Sequence, residues 1–365
     1  MELLLNEQQV LLRDAAAKLG ASKGGPRRAR MLRDAKAGID ADAWKQIVDA
    51  GWLSALVAED RGGLGLGIFD LALALEEIGK QVLMAPLTEQ ASAVWALAQA
   101  GASVSEAMQS KLVVPAALPP AQSYGGAAAK PRLDRRTLSG SSSFVPFADA
   151  AEAFLVTANE GDATALCLVP RTAKGLTIAT THNVDGSTSS ELSFNRVEIA
   201  GDQIVAQGAK ARAIADRMEE LLLLGTAAEL LGTAQAALDI TLAYIKLREQ
   251  FGKQIGSFQA LQHRAVNCYV DVELNRSLIF AVLAAWDAGT CHPAMVSAVK
   301  ARIGRCALDT VRAALQLHGA IGYTDEHDIG IYYKRAVALA AKYGNEITHV
   351  GRFSELTMPA RSAAE

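Results

Sequence analysis

Only four cysteines occur in 365 residues, Cys167, Cys268, Cys291 and Cys306, and no two stand in Cys-x-x-Cys spacing. That pattern supports neither a zinc site nor a disulfide framework, so the thiols read as reduced and mostly core. Histidine is also scarce, and His263, His318, His327 and His349 include no i, i+4 pair on one helix face, so no metal is expected. An excess of either charge is missing too: 36 Lys and Arg stand against 39 Asp and Glu, a formal net charge of −3. No basic face is offered to nucleic acid and no anchor to anionic lipid. The opening stretch MELLLNEQQVLLRDAAAKLG is apolar at helical spacing but interrupted by Glu2, Asn6, Glu7, Arg13 and Asp14. It reads as a cytosolic helix, and neither a signal peptide nor a membrane span carries such charges. No repeat of 20 to 50 residues is visible, which disfavours a solenoid.

What is present is an ordinary globular composition, half hydrophobic and 21% charged, long enough for two or three domains. Over residues 1–110 apolar positions recur every three or four residues, as in DAWKQIVDAGWLSALV, which predicts an all-helical first domain. RGGLGLG at 61–67 interrupts it and reads as a structural turn, because no strand precedes it and no P-loop lysine follows. Over 111–207 the pattern becomes short β-prone runs separated by Pro, Gly, Ser and Asp, which predicts an antiparallel β domain. Gly161-Asp162 is placed as a hairpin turn, TSSELSFNRVEI as a half-buried strand and SYGGAAAKPRLD as a loop. Over 208–365 four long helical runs return, which predicts a four-helix bundle.

The stretch REQFGKQIGSFQALQH, residues 248–263, carries the most chemistry. Arg248 closes a helical run, Gly252 and Gly256 allow close backbone approach, and Phe251 and Phe258 offer flat surfaces for a stacked ring. Arg-x-x-Phe-Gly by itself also suits an ordinary capped helix end. The full sixteen residues resemble the FAD-contacting signature of the acyl-CoA dehydrogenase family. WKQIVDAGWLSALVAEDRGGLGLG and VDGSTSSELSFNRVEI are similar to that family's N-domain and β-domain segments, and QLHGAIGYTDEH to its second flavin-contacting segment. The likeness covers nearly the whole chain, in the order helical domain, β domain, helical bundle.

The resemblance implies an enzyme that desaturates an acyl-CoA thioester at Cα–Cβ with FAD and passes electrons to an electron-transfer flavoprotein. It implies Arg248 and Gln259 at the pyrophosphate, Phe251, Gly252 and Phe258 beside it, and Ile255 as an apolar wall for the adenine half. Gln316, Gly319 and Ala320 carry over from the second segment, Ala320 standing in place of a second glycine. Gly322 belongs to the same segment, and His263 beside Gln262 is a further polar neighbour. The adenine half lies across a subunit interface in such enzymes, so a dimer or tetramer is implied. Phe144 stands where a tryptophan stacks on the flavin, while Pro146 offers no donor there.

Two features depart from the family pattern. The usual catalytic glutamate position is occupied by Tyr343, a poor base at neutral pH. The alternative position on the first helix of the bundle falls on Leu222. Glu219, Glu220 and Glu346 are the nearby carboxylates, and Glu229 lies two turns on. Four readings remain open at this stage. The chain is a catalytic homo-oligomer with a displaced base, or the base-lacking subunit of a heteromeric bacterial enzyme acting on steroid side chains or other bulky acyl-CoAs. It is otherwise a flavin-dependent monooxygenase on the same scaffold, or a structural protein without substrate. A cytoplasmic setting is expected for each.

Overall fold

A computed structural model describes residues 5–109, 111–116 and 130–358. Helices α1 (Glu7–Lys23), α2 (Pro26–Asp34), α3 (Ala41–Asp49), α4 (Ile68–Lys80), α5 (Leu87–Ala100) and α6 (Ser105–Gln109) come first. Strands β1 (Val113–Ala116), β2 (Arg132–Asp134), β3 (Thr137–Pro146), β4 (Ala153–Glu160), β5 (Ala163–Pro170), β6 (Leu176–His182), β7 (Thr188–Glu198) and β8 (Ile204–Gln207) follow. Then come α7 (Gly208–Leu247), β9 (Glu249–Gln250), β10 (Lys253–Gln254), α8 (Gln259–Asp287), α9 (Pro293–His318), α10 (Ile329–Ala341) and α11 (Glu346–Thr357). Helix gives way to strand, and strand to helix, where the sequence pattern changes near 111 and 208.

The contacts group the chain into two compact units, and the divisions fall inside α1, α4 and α7 and between α4 and α5. One unit holds Ala21–Leu71 and Leu83–Leu222. Its sheet runs β6-β7-β3-β2-β4-β5-β8, with β1 added beside β4. The expected sheet was antiparallel; the observed one is mixed, because β1 and β2 both pair with β4 in parallel. Alternation along a strand reports which face is buried and says nothing of direction, and parallel neighbours arise here because β4 is reached by a crossover and not by a hairpin. The hairpin at Gly161-Asp162 joins β4 to β5, and β7 alternates buried and open positions as expected. Phe154, Val156, Leu138, Leu192 and Phe194 fill the core beneath the sheet. Gln90, buried on α5, donates to the Ala107 and Lys111 carbonyls at 2.7 and 2.9 Å and accepts from Val113 N at 2.7 Å. It thereby ties the end of α6 to the start of β1, with two of the three bonds fully buried. Of the expected loop SYGGAAAKPRLD, residues 123–129 lie outside the described residues, and its end is not loop but strand β2, Arg132–Asp134, paired with β3.

The other unit holds Met1–Gly20, Ala72–Val82 and Leu223–Glu365. Here α4 and α7 cross at backbone contact. A Cβ on Gly79 would lie 2.1 Å from the Glu229 carbonyl oxygen, and one on Gly232 would lie 1.9 Å from that of Glu76. Only glycine permits that approach. Around the crossing, Arg276 pairs with Glu76 and donates to Gln235 Oε1 at 2.7 Å, while Arg335 is paired with Glu229 in a fully buried ion pair. Helix α9 packs against α8, α10 and α11. The last of the four expected helical runs is split into α10 and α11 by residues 342–345. The break is set by Gly344 in the left-handed region and by Asn345, whose side chain accepts from Thr348 N at 3.1 Å as the cap of α11.

Candidate active site

Helix α7 runs out at Leu247, and the chain turns at once into a two-residue hairpin, β9 pairing with β10. Its tip is Phe251-Gly252, with φ of +56° and +78°. Such a turn needs two left-handed residues, and phenylalanine in the first of them is a strained choice. Phe251 is 90% exposed and meets Phe258 edge to face at 6.2 Å, and the Lys253 ammonium sits 4.3 Å above the Phe258 ring. Arg248 begins the hairpin. Its N–H donates to the Tyr244 carbonyl at 2.9 Å and its carbonyl accepts from Ile255 at 2.8 Å, while its exposed guanidinium has no carboxylate partner among the described residues. Gly256 closes against Ile245, whose carbonyl oxygen would lie 2.8 Å from a Cβ. Gln259 opens α8 on the exposed side, and Gln262 donates to the Gly256 carbonyl at 2.9 Å. His263 is exposed and lines an open groove between α8 and α9 with Arg264, Asn267 and Asp271.

The second segment begins where α9 ends. Gly319, at φ +67°, caps the helix, and Gln316, Gly319 and Ala320 all lie exposed while Gly322 is buried. Leu317 packs with Ile245 and Ala265, and Ile255 and Leu261 pack against the same cluster. The hairpin and the 316–320 turn therefore share one apolar footing. His318 stacks on Tyr244 with ring centroids 4.4 Å apart. These rings escaped the sequence reading, and the signal available was Tyr244 four residues before Arg248.

Phe144 belongs to the sheet-containing unit. It sits at a register break between β3 and β7, with φ +57°, and is largely exposed. A bulge that turns an aromatic ring outward at positive φ is a second strained, ligand-ready surface.

The candidate bases differ sharply in setting. Glu219 and Glu220 are both buried on α7, and Glu220 accepts from Arg217 at 2.9 Å. Lys130 lies near Glu219: burial lowers its pKa, Arg212 adds to that, and Asp216 and Glu219 oppose it. Glu229 is committed to Arg335. Glu346 is the first residue of α11, 42% exposed at its side chain and 3.6 Å from Arg305, so it lacks the dry setting a base requires. Tyr343 is buried, at φ +59°, in the turn between α10 and α11, and Leu222 is fully buried.

That turn is held by two basic groups the sequence reading passed over. Lys300, fully buried on α9, donates to the Ala340 and Gly344 carbonyls at 3.0 Å each. Burial, with help from Lys342, pushes its pKa down to about 7. His349 donates from Nε2 to the Tyr343 carbonyl at 2.9 Å, and burial followed by the nearby Lys300 pushes it down to about 3.

Residues 6–117 match the family model for the acyl-CoA dehydrogenase N-terminal domain, and residues 224–351 match that for its C-terminal domain. The chain is 30% identical over 347 residues to acyl-CoA dehydrogenase IpdE2 of Mycolicibacterium smegmatis, covering 93% of this chain and 96% of that protein. It is 26% identical over 358 residues to acyl-CoA dehydrogenase FadE27 of Mycobacterium tuberculosis, covering 93% and 92%. Among solved structures it superposes on the Tcur3481-Tcur3483 steroid ACAD G363A variant with a TM-score of 0.85 at 27% identity, covering 96% and 97% of the two chains. The ChsE4-ChsE5 complex of Mycobacterium tuberculosis gives a TM-score of 0.87 at 24% identity, covering 99% and 100%, a likeness of fold.

Proposed function

This chain belongs to the acyl-CoA dehydrogenase family, and on that premise we propose that it binds FAD and serves the α,β-desaturation of an acyl-CoA thioester, electrons leaving to an electron-transfer flavoprotein. The observation that carries the cofactor reading is the hairpin. A cation with no carboxylate partner, Arg248, stands beside a strained, outward phenylalanine and a backbone kept close by Gly256. Those are the donor set and flat surface that a dinucleotide pyrophosphate and its rings require. Arg248 and Gln259 would hold the pyrophosphate, and Gln316, Gly319 and Ala320 the adenine side.

When bound, the flavin supplies the acceptor for the hydride that leaves Cβ. The protein's part is to take the α-proton on a carboxylate shielded from water and to hold the thioester so that both hydrogens leave from adjacent carbons. Among the candidates, Glu219 and Glu220 have the burial this needs, and Glu220 also accepts from Arg217. A second reading is favoured by Tyr343, buried where the family places its glutamate: the chain completes the FAD site of a heteromer whose other subunit supplies the base. The two-component names of the steroid ACAD and ChsE4-ChsE5 structures support that reading and a bulky acyl substrate. A cytoplasmic setting accompanies both.

The test is the visible spectrum and native mass of the chain purified alone. A yellow oligomer with near-stoichiometric FAD supports the self-sufficient enzyme. A colourless chain that turns yellow only with a second subunit supports the heteromer, and one that takes up FAD under neither condition overturns both.

A further inference from the structure

Three rings stand behind the two cofactor-facing segments. Tyr244 is on the last turn of α7, and its carbonyl receives the Arg248 N–H. His318 is the last residue of α9, directly before Gly319. His327 follows the 319–323 turn and accepts from Ile329 N through Nδ1 at 3.2 Å, at the head of α10. The Tyr244 and His318 rings are stacked at 4.4 Å and 26°, His318 and His327 lie 4.5 Å apart, and Tyr244 meets His327 edge-on at 5.9 Å. The Tyr244 hydroxyl donates to the His318 carbonyl at 3.4 Å. Three pieces of chain that never pair through regular backbone ladders thus meet ring to ring.

The chemistry of His318 marks it as a flat body and not as an acid or base. Its Nδ1 proton is turned back onto the Ala314 carbonyl at 2.8 Å, and its buried Nε2 has no hydrogen-bond partner among the described residues. Burial holds the ring below its ordinary pKa, the Ala314 bond opposing and His327 adding to the effect. A buried lone pair left unmatched is costly, so a position that keeps imidazole there is using its shape and stacking.

We propose that the Tyr244–His318–His327 stack is a positioning element that fixes the spacing between the Arg248 hairpin and the 316–320 turn, so that both halves of a dinucleotide site are set before the ligand arrives. The proposal rests on the FAD reading above. The rings add to the shared apolar footing of Ile245, Ala265 and Leu317 in holding the two segments in register. Loss of one ring lets the turn drift relative to the hairpin, and affinity falls through lost preorganisation even though no contact residue has changed.

The experiment is FAD titration by flavin fluorescence on the full-length protein, with whatever subunit co-purifies, for wild type, Tyr244→Leu, His318→Leu and Tyr244→Phe. Tyr244→Phe keeps the ring and loses only the long hydroxyl contact. The expected result is an FAD Kd raised about tenfold or more in the two leucine variants and near wild type in Tyr244→Phe. A purely structural role would lower the melting temperature of the leucine variants and leave their Kd unchanged, which overturns the proposal, as does equal weakening by Tyr244→Phe. If Tyr244→Leu does not fold, His327→Leu, on the half-buried side of the stack, carries the same expectation. Wild-type protein that takes up no FAD defeats the cofactor reading and this proposal together, whereas tight wild-type binding with indifferent variants defeats the stack alone.

Discussion

Replacing Lys300 by methionine separates two opposing effects that the fold has combined at one atom. The Lys300 ammonium is fully buried with two carbonyls as partners and no carboxylate among the described residues, and its pKa falls from 10.5 to about 7. Between those values the unfolded chain binds a proton that the folded one does not, so stability rises with pH across that window. The penalty is complete below pH 7, is relieved progressively as pH rises, and is gone above 10.5. At one pKa unit per 1.36 kcal/mol it amounts to about 4 kcal/mol at pH 7 and about 2 kcal/mol at pH 9. Lys300→Met removes the penalty but strands the Ala340 and Gly344 carbonyls, at about 1–3 kcal/mol each. The net change at pH 7 is therefore small, while at pH 9 the variant is less stable than wild type by about 2 kcal/mol more than at pH 7. Urea unfolding of both proteins at the two pH values measures this directly. Titrations elsewhere, such as Cys167 and Cys306 pushed up to about 12 by burial, are common to both proteins and cancel. Identical pH slopes for the two proteins would refute the reasoning.

Arg248→Ala removes a charge-assisted contact worth about 1.5–3 kcal/mol, so FAD Kd by fluorescence titration should rise roughly 10- to 150-fold; unchanged FAD content would count against the assignment. Glu229→Ala leaves the buried Arg335 without its carboxylate and should cost about 3–5 kcal/mol in denaturant unfolding. Gly232→Ala drives a methyl into the Glu76 carbonyl and should cost about 3 kcal/mol or more, seen as a lowered melting temperature. Glu219→Gln should lower steady-state turnover by about 10²–10⁴-fold, the range for a lost general base, with Glu346→Gln near wild type. The opposite ranking moves the base to α11, and indifference to both leaves Glu220 or a second subunit to supply it.

Much of this was legible because period and composition report burial. The helix-to-strand change near 111 and the return near 208 were visible as a switch from 3.6 to 2 residues, whereas the stretch after Arg248 was read as a helix end with close-approach glycines and not as the β9–β10 hairpin. Strand direction was not legible, since neither the continuous burial of β1 nor the alternation of β2 depends on whether the strand runs parallel or antiparallel to β4. Lys300 was missed because a lysine in MVSAVKARIG reads as a surface residue until the carbonyls of another helix close over it. The ring stack was missed because Tyr244, His318 and His327 are distant in sequence and none has a motif of its own. Even REQFG gave no hint that phenylalanine, not glycine, would take the strained first position of the turn.

The crossing of α4 and α7 has a consequence for how the chain is made. Thr233 donates to the Gly79 carbonyl at 3.3 Å across 154 positions of sequence. At 5–20 residues per second, a ribosome needs roughly 10–30 s to deliver the second helix after the first has emerged. During that interval the glycine face of α4 has no partner, and the unit that includes the opening helix cannot close until the C-terminal half exists. Vectorial synthesis thus leaves an early-made apolar surface waiting for a partner helix made 154 residues later.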